Sequence, residues 1–192
     1  MGQIGDCTVK SSLRLWSCAA LAACTMSASA AAPVLMTPEW MEQACQAWNK
    51  NPILTTELAD SWVKNDKKRG YKVVHMYRDE CGAASAVEMK LERKDNKAWC
   101  VYGGAPRNTP DFDVDYLMYA KTPRWIEMGK GEYGPMKGMM FGRLQFSGPM
   151  LEAMGVMGPF EQFLLLVGKV ESDAATCPAK IRPDNSGSSA PK

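Results

Sequence analysis

The spacing of apolar positions changes several times along the chain, and each change predicts an element. From Thr37 to Asn49, Trp40, Ala44 and Trp48 recur four apart. That predicts a helix with Thr37 as N-cap, Pro38 in its first turn and Glu39 complementing its dipole. Asn51-Pro52 starts a second predicted helix to about Asn65, with Leu54, Leu58 and Trp62 as its stripe. Lys64 to Arg69 is a charged connection ended by Gly70. The period then shortens to two. Tyr71 to Arg78 reads as a strand, with Val73 and Val74 inviting burial on both faces, and Gly82-Ala83-Ala84 turns the chain. Val87, Met89 and Leu91 alternate with Glu88, Lys90 and Glu92, the signature of a half-buried strand. Asp95-Asn96 makes the next turn, Lys97 to Tyr102 a third strand, and the alternation of Phe112, Val114, Tyr116 and Met118 a fourth. Lys121-Thr122-Pro123 opens a helix through Met128, Arg143 to Ser147 reads as a fifth strand, and Phe160 to Val170, apolar nearly all round, as a buried helix. No repeat or second domain shows.

The stretch from Gly134 to Val170 stands apart. It holds Met136, Met139, Met140, Met150, Met154 and Met157 with Phe141, Phe146, Phe160 and Phe163 between them, and its only charges are Lys137, Arg143, Glu152, Glu161 and Lys169. Gly134-Pro135, Gly148-Pro149 and Gly158-Pro159 cut it into short pieces, and a proline is tolerated at a first helical position. Methionine is flexible and polarizable, suited to surfaces that accept irregular apolar shapes. Two readings follow: the wall of an apolar ligand cavity, or a core rich in methionine.

Composition adds a compartment. The first 30 residues read as a secretory leader: Lys10 and Arg14 form the basic end, Leu15 to Met26 the apolar run, and Ala28-Ser29-Ala30 a cleavage site that leaves Ala31 first. The run is too short to span a bilayer. Leu21-Ala22-Ala23-Cys24 also fits a lipobox, which would make Cys24 a lipidated first residue, but the apolar run before it is then short and simple export is preferred. Residues 31–36 read as a linker, 37–171 as one domain, and 172–192, polar with Pro178, Pro183, Pro191 and a Ser-Gly run, as a flexible tail held near Cys177. The net charge of +2 makes no case for nucleic acid or strong binding to anionic membranes.

Of seven cysteines, Cys45, Cys81, Cys100 and Cys177 remain after cleavage. An even count in an oxidising compartment predicts two disulfides. The hairpin at Asp95-Asn96 places Cys100 opposite about Lys90, while Cys81 lies near the far end of the second strand. Several residues at about 3.3 Å each separate them, beyond the roughly 7 Å that disulfide Cα atoms allow. Cys81–Cys100 is therefore excluded. Cys45–Cys81 with Cys100–Cys177, and Cys45–Cys100 with Cys81–Cys177, both stay open.

Catalytic and metal constellations are sparse, and no cofactor or metal site is expected. His75 is the only histidine, so any Ser-His or Cys-His nucleophile pair depends on it. Mid-strand between Val74 and Met76, it is expected to be a hydrogen-bonded structural residue. Asp111, Asp113 and Asp115 have the opening spacing of a calcium loop, but Tyr116 stands where the sharp-turn glycine belongs and Thr122 where the closing acid belongs. The alternation says strand, with the aspartates on its wet face. Tyr102-Gly103-Gly104 lacks the lysine of a phosphate loop.

The order strand, Gly-rich turn, short helix, G-x-L-x-F-x-G strand, short helix and apolar C-terminal helix resembles the sterol carrier protein-two (SCP-2) family, in an exported, bacterial-type member. The marker is Gly142-Arg143-Leu144-Gln145-Phe146-Ser147-Gly148, preceded by Gly131-Glu132-Tyr133-Gly134-Pro135-Met136-Lys137 and followed by Phe160-Glu161-Gln162-Phe163-Leu164. The resemblance spans about Trp40 to Val170. It implies an α+β domain in which helices cover one face of a single five-stranded sheet, with an apolar tunnel between them that takes fatty acyl chains, sterols or phospholipids without chemistry. By position the wall would be Trp125, Met128, Met136, Met139, Met140, Phe146, Met150, Met154, Met157, Phe160, Phe163 and Leu164. The leader, the four mature cysteines and the closing Ala190-Pro191-Lys192 in place of a peroxisomal Ser-Lys-Leu depart from the common pattern. They imply an envelope lipid (sterol, hopanoid, fatty acyl or phospholipid) as ligand, with transient contact to a membrane surface. The alternative is an accessory protein of this fold that presents a lipid such as a quinone precursor to partner enzymes, and an enzyme acting on steroids or acyl chains is the third reading. Export makes one prediction: the intact mass of secreted protein should place Ala31 first, and an acylated Cys24 would overturn it.

Overall fold

Strand β1 (Tyr71–Arg78) is the spine of the fold. In the computed structural model of the chain, which describes residues 31–180, it pairs antiparallel with β2 (Val87–Lys94) and parallel with β4 (Tyr116–Ala120). With β3 (Lys97–Gly104) and β5 (Gln145–Ser147) these make one five-stranded sheet in the order β3-β2-β1-β4-β5. The expected leader, its cleavage site and the Cys24 alternative lie outside the described residues, as does the chain after Lys180. At the β2–β3 turn, Asp95 and Asn96 take φ of 52° and 56°. Their short polar side chains tolerate that left-handed backbone, which a two-residue hairpin requires.

Register decides which side chains face inward. Lys72, Val74 and Met76 stand opposite Leu91, Met89 and Val87, and Val74 and Met76 stand opposite Tyr116 and Met118. Directly paired residues share a face, so these positions form one inner surface, covered by helices as expected. They are α1 (Pro38–Asn49), α2 (Thr122–Gly129), α3 (Pro135–Met140), α4 (Met150–Gly155), α5 (Met157–Leu164) and α6 (Leu166–Lys169). Trp40, Trp48, Leu54, Leu58, Trp62, Trp125, Phe160 and Phe163 join the strand residues in one core. Among the described residues no helix is long and apolar enough to cross a membrane.

Helix α1 closes the β3 edge. Its N-cap is Thr37, as expected. Trp48 donates its indole N–H to the Ala98 carbonyl at 2.8 Å, and the Asn49 amide serves both the N–H and the C=O of Cys100 at 2.8 Å each. An otherwise unpaired strand edge is thereby satisfied. Gly103 lies directly under the helix, where a β-carbon would collide with the Met41 carbonyl. Cys45 bonds Cys100, and Cys81 bonds Cys177, with Cα atoms 5.3 and 5.5 Å apart. The excluded 81–100 pair is absent, and a bulge at Lys90/Leu91 sets Cys100 opposite Leu91.

Five expectations are corrected. The second helix exists but winds as two π-helical segments, Ile53–Glu57 and Ala59–Val63, with Lys64 N–H reaching the Ala59 carbonyl five residues back. The fourth strand begins at Tyr116 instead of Phe112, because the chain turns at Asp111 and buries Asp115. That carboxylate lies inside, accepting from Arg69 twice (2.6 and 2.9 Å) and from the N–H groups of Val73 and Asp111. The fifth strand shortens because the N–H groups of Arg143 and Leu144 both bond the Gly138 carbonyl, ending α3. The last helix breaks at Leu165, and α6 crosses α2 so closely that a β-carbon on Gly168 would meet the Gly129 carbonyl.

The fifth correction concerns the domain bounds. Leu35 and Met36, assigned to a linker, are buried. Val34 bridges Asp173, and Arg78 donates to the carbonyls of Ala174 (2.7 Å) and Thr176 (2.5 Å). The chain from Asp173 to Cys177 is thus a strap on the domain, and the tail starts later than 172. Non-reducing peptide maps should recover the 45–100 and 81–177 pairs. Replacing both Cys45 and Cys100 by Ser should lower the unfolding free energy by about 2–5 kcal/mol in a denaturant titration.

Candidate functional site

The inner face between β1, β4 and α5 is an aromatic nest. Tyr116 of β4 lies 5.1 Å from Trp62, 4.8 Å from Phe146 of β5 and 5.7 Å from Phe160 of α5, measured between ring centroids. Phe163 extends the nest to Trp48 of α1 at 5.6 Å. Tilted and edge-on contacts of this kind are the favoured ones for aromatic rings.

Into this nest projects Lys72. Its side chain has no exposed surface, and its Nζ stands 5.3 Å from the Trp62 ring centre and 5.5 Å from that of Tyr116. A buried ammonium needs an anion. Glu152 of α4 supplies one, with Oε2 2.5 Å from Lys72 Nζ, and the Tyr116 hydroxyl donates to the same oxygen at 3.0 Å. Burial pulls the Lys72 ammonium below the usual lysine range, more than the Glu152 carboxylate restores. Burial, and then the Glu152 charge, pushes the Tyr116 phenol well above its usual range. The indole N–H of Trp62, fully buried beside them, makes no hydrogen bond among the described residues.

Above the nest lie two short helices that turn large apolar side chains outward. Helix α4 buries only Ala153, while Leu151 is 86% exposed and Met150 and Met154 are 44% and 49% exposed. Helix α3 presents Met136 and Met140, and Phe141 follows at its end.

The residues expected to line a tunnel therefore fall in three groups. Trp125, Met128, Phe160, Phe163 and Leu164 are buried in the core; Met139, Phe146 and Met157 are half-buried against it; Met136, Met140, Met150 and Met154 are exposed. A pocket of about 420 Å³ opens at the surface between Ala47, Ile53, Gln162 and Leu166. Another of about 320 Å³ opens between Lys121, Arg124, Phe141 and Arg143. Neither takes its wall from Met139, Met154 or Phe163.

The other polar positions are structural. His75 Nε2 lies 3.0 Å from Glu88 Oε2, as a hydrogen-bonded histidine should. Glu88 also accepts from the N–H groups of Arg107 and Asn108, pinning the loop before β4. Lys67 takes Asp111 and Asp113, and Arg69 takes Asp115, so cationic side chains fill the acidic triplet. Among the described residues no group of three or more His, Cys, Asp or Glu could hold a metal ion. The sequence reading missed the Lys72–Glu152 pair. Its signal was a lysine two residues before Val74 in a period-two strand, where the inner face should be apolar.

No family model matches the chain, and no curated protein matches it. Among solved structures, the chain is similar to a crystal structure of sterol carrier protein 2, at 17% identity over 71% of this chain and 99% of that one, with a TM-score of 0.49. It is also similar to the apo form of sterol carrier protein 2 from Yarrowia lipolytica, at 16% identity over 66% and 88% of the two chains (TM-score 0.35). A ubiquinone synthesis protein, UbiJ-SCP2, matches at 12% identity over 66% and 90% (TM-score 0.37).

The division into buried and exposed members makes a contrast. Phe163→Asp, at a position 2% exposed, buries an unpaired charge and should unfold the domain. Met154→Asp, at one 49% exposed, should change stability by no more than about 0.5 kcal/mol. Denaturant titration of the two variants measures both.

Proposed function

We propose that this chain binds an apolar, lipid-like molecule in the layer between the inner face of the sheet and helices α3 to α5, and carries it without chemistry. The observation behind this reading is the pair of short, thinly anchored helices α3 and α4, with Met136, Met140, Phe141, Met150, Leu151 and Met154 turned outward above an aromatic nest. Exposed apolar groups in such number mark a surface that meets lipid, ligand or protein, and methionine adapts to irregular apolar shapes. The sequence resemblance centred on Gly142 to Gly148 supports the same reading. Its ligand would be a sterol, hopanoid, fatty acyl chain or phospholipid, and the outward side chains of α3 and α4 would dip into a membrane surface during exchange. Two disulfides support an oxidising compartment, and together with the expected leader they support a periplasmic or secreted protein.

A second reading has a specific observation in its favour. Trp125, Met128, Phe160, Phe163 and Leu164 pack as an ordinary filled core, which suits an accessory protein that presents a lipid such as a quinone precursor to an enzyme through its outer surface. Binding separates the two. Delipidated protein should bind a fluorescent fatty acid or sterol analogue at micromolar concentration. Met139→Gln with Met157→Gln, both half-buried against the core, should weaken that binding about tenfold, or about 1.4 kcal/mol. Met140→Glu with Leu151→Glu should leave affinity intact and slow transfer to vesicles. Protein that binds no fatty acid, sterol or phospholipid belongs to the second reading.

A further inference from the structure

Lys72, Tyr116 and Trp62 bring three hydrogen-bond donors together in an apolar interior, and they stand on the firmest parts of the fold. Lys72 is on the central strand, Tyr116 on its parallel neighbour, and Trp62 on the π-helical segment packed against both. The acceptor comes from elsewhere. Glu152 sits on six-residue α4, which buries one side chain and is preceded by Gly148-Pro149 and followed by Gly155, where a β-carbon would meet nothing within 4 Å.

The supply of acceptors is also short. Lys72 and Tyr116 share a single oxygen, Glu152 Oε2. The Trp62 ring packs against Tyr116 with centroids 5.1 Å apart, and its buried N–H closes no hydrogen bond among the described residues. Buried donors are seldom left unpaired, and each one that is calls for an explanation. A carboxylate has two oxygens and about four acceptor sites, and Glu152, tethered to its helix, brings only one oxygen to the cluster.

We infer that Lys72, Tyr116 and Trp62 are the head-group receptor for a carboxylate-bearing amphiphile, and that Glu152 occupies this receptor as a stand-in which such a ligand displaces together with α4. The inference rests on the carrier reading above, because the ligand's tail needs the apolar layer. Charge selects the head: one buried ammonium balances one carboxylate, whereas a phosphate dianion would leave a buried charge without a partner. Size is consistent too, since the group already held there is itself a carboxylate. As α4 lifts, its place beside Phe146 and Phe160 becomes the entry for the tail, and Met157 at the start of α5 adapts to its width.

The test uses the delipidated, oxidised mature chain, titrated near pH 7.5 with oleic acid and with uncharged oleyl alcohol by calorimetry. The parent should prefer the acid by tenfold or more. Lys72→Met combined with Glu152→Leu replaces the ion pair by apolar groups, an exchange that proteins generally tolerate. It should bind acid and alcohol alike, with the alcohol as tight as in the parent. Glu152→Gln removes the competing charge and should bind the acid about tenfold tighter; near-UV circular dichroism checks its fold, and if it does not fold the double variant alone decides. A parent that does not distinguish acid from alcohol, or a folded Glu152→Gln that binds the acid more weakly, overturns the receptor and leaves the carrier reading standing. If neither amphiphile binds the parent, the receptor falls, and the carrier reading falls with it only when a sterol and a phospholipid also fail to bind.

Discussion

The helix layer is fastened to the sheet by two buried cations on one strand. On its inner face β1 carries Lys72, Val74, Met76 and Arg78: an apolar middle with a positive charge at each end. Lys72 holds α4 through Glu152. Arg78 holds the start of α2 through Thr122 and the C-terminal strap through the carbonyls of Ala174 and Thr176. Removing either cation would leave its partners facing a low-dielectric interior, where an orphaned charge or carbonyl is costly. The central strand thus fixes more than the pleat, because both ends of what lies above it are anchored there. The two anchors differ in kind. Arg78 is backed by a disulfide three residues away at Cys81, while Lys72 has only a carboxylate on a short helix.

The two disulfides reinforce the same plan. Cys45–Cys100 ties α1 to the β3 edge beside the Asn49 amide, and Cys81–Cys177 ties the strap to the end of β1. Both lie at the margins of the sheet. Neither touches α3 or α4, so covalent reinforcement stops short of the helices with the exposed methionines. Such a frame would stay intact if one part of its cover opened, the division of labour that local opening requires.

Much of the frame was legible in the sequence because it obeys local rules. Thr37-Pro38 announces α1, Asp95-Asn96 the hairpin, and the alternation of Val87, Met89 and Leu91 the second strand. What escaped was decided by tertiary contacts. Asp115 looks like a wet-face residue until Arg69 and the Val73 N–H claim it from over 40 positions away in sequence. The turn into α6 escaped for the same reason, since α6 packs against α2 where Gly129 and Gly168 let two backbones meet, a pairing that no local pattern shows. Of the candidate site, the Met/Phe stretch made legible the residues that become the outward apolar groups of α3 and α4. However, a pattern of apolar residues cannot say which faces in, and although Lys72 breaks the apolar face of its strand, nothing local names Glu152, 80 residues on, as its partner.

The strap has a consequence for how the domain is connected to anything else. Val34 bridges Asp173, and the Leu35 N–H bonds the Asp173 carbonyl at 2.7 Å. The first and last described segments of the domain thus run side by side at one corner of the fold, and the strap continues from there to the Cys177 disulfide and a buried Pro178. The same closeness makes the fold a candidate for circular permutation: a short linker across that corner, with new ends opened at Asp95-Asn96, would leave every strand pairing of the sheet intact.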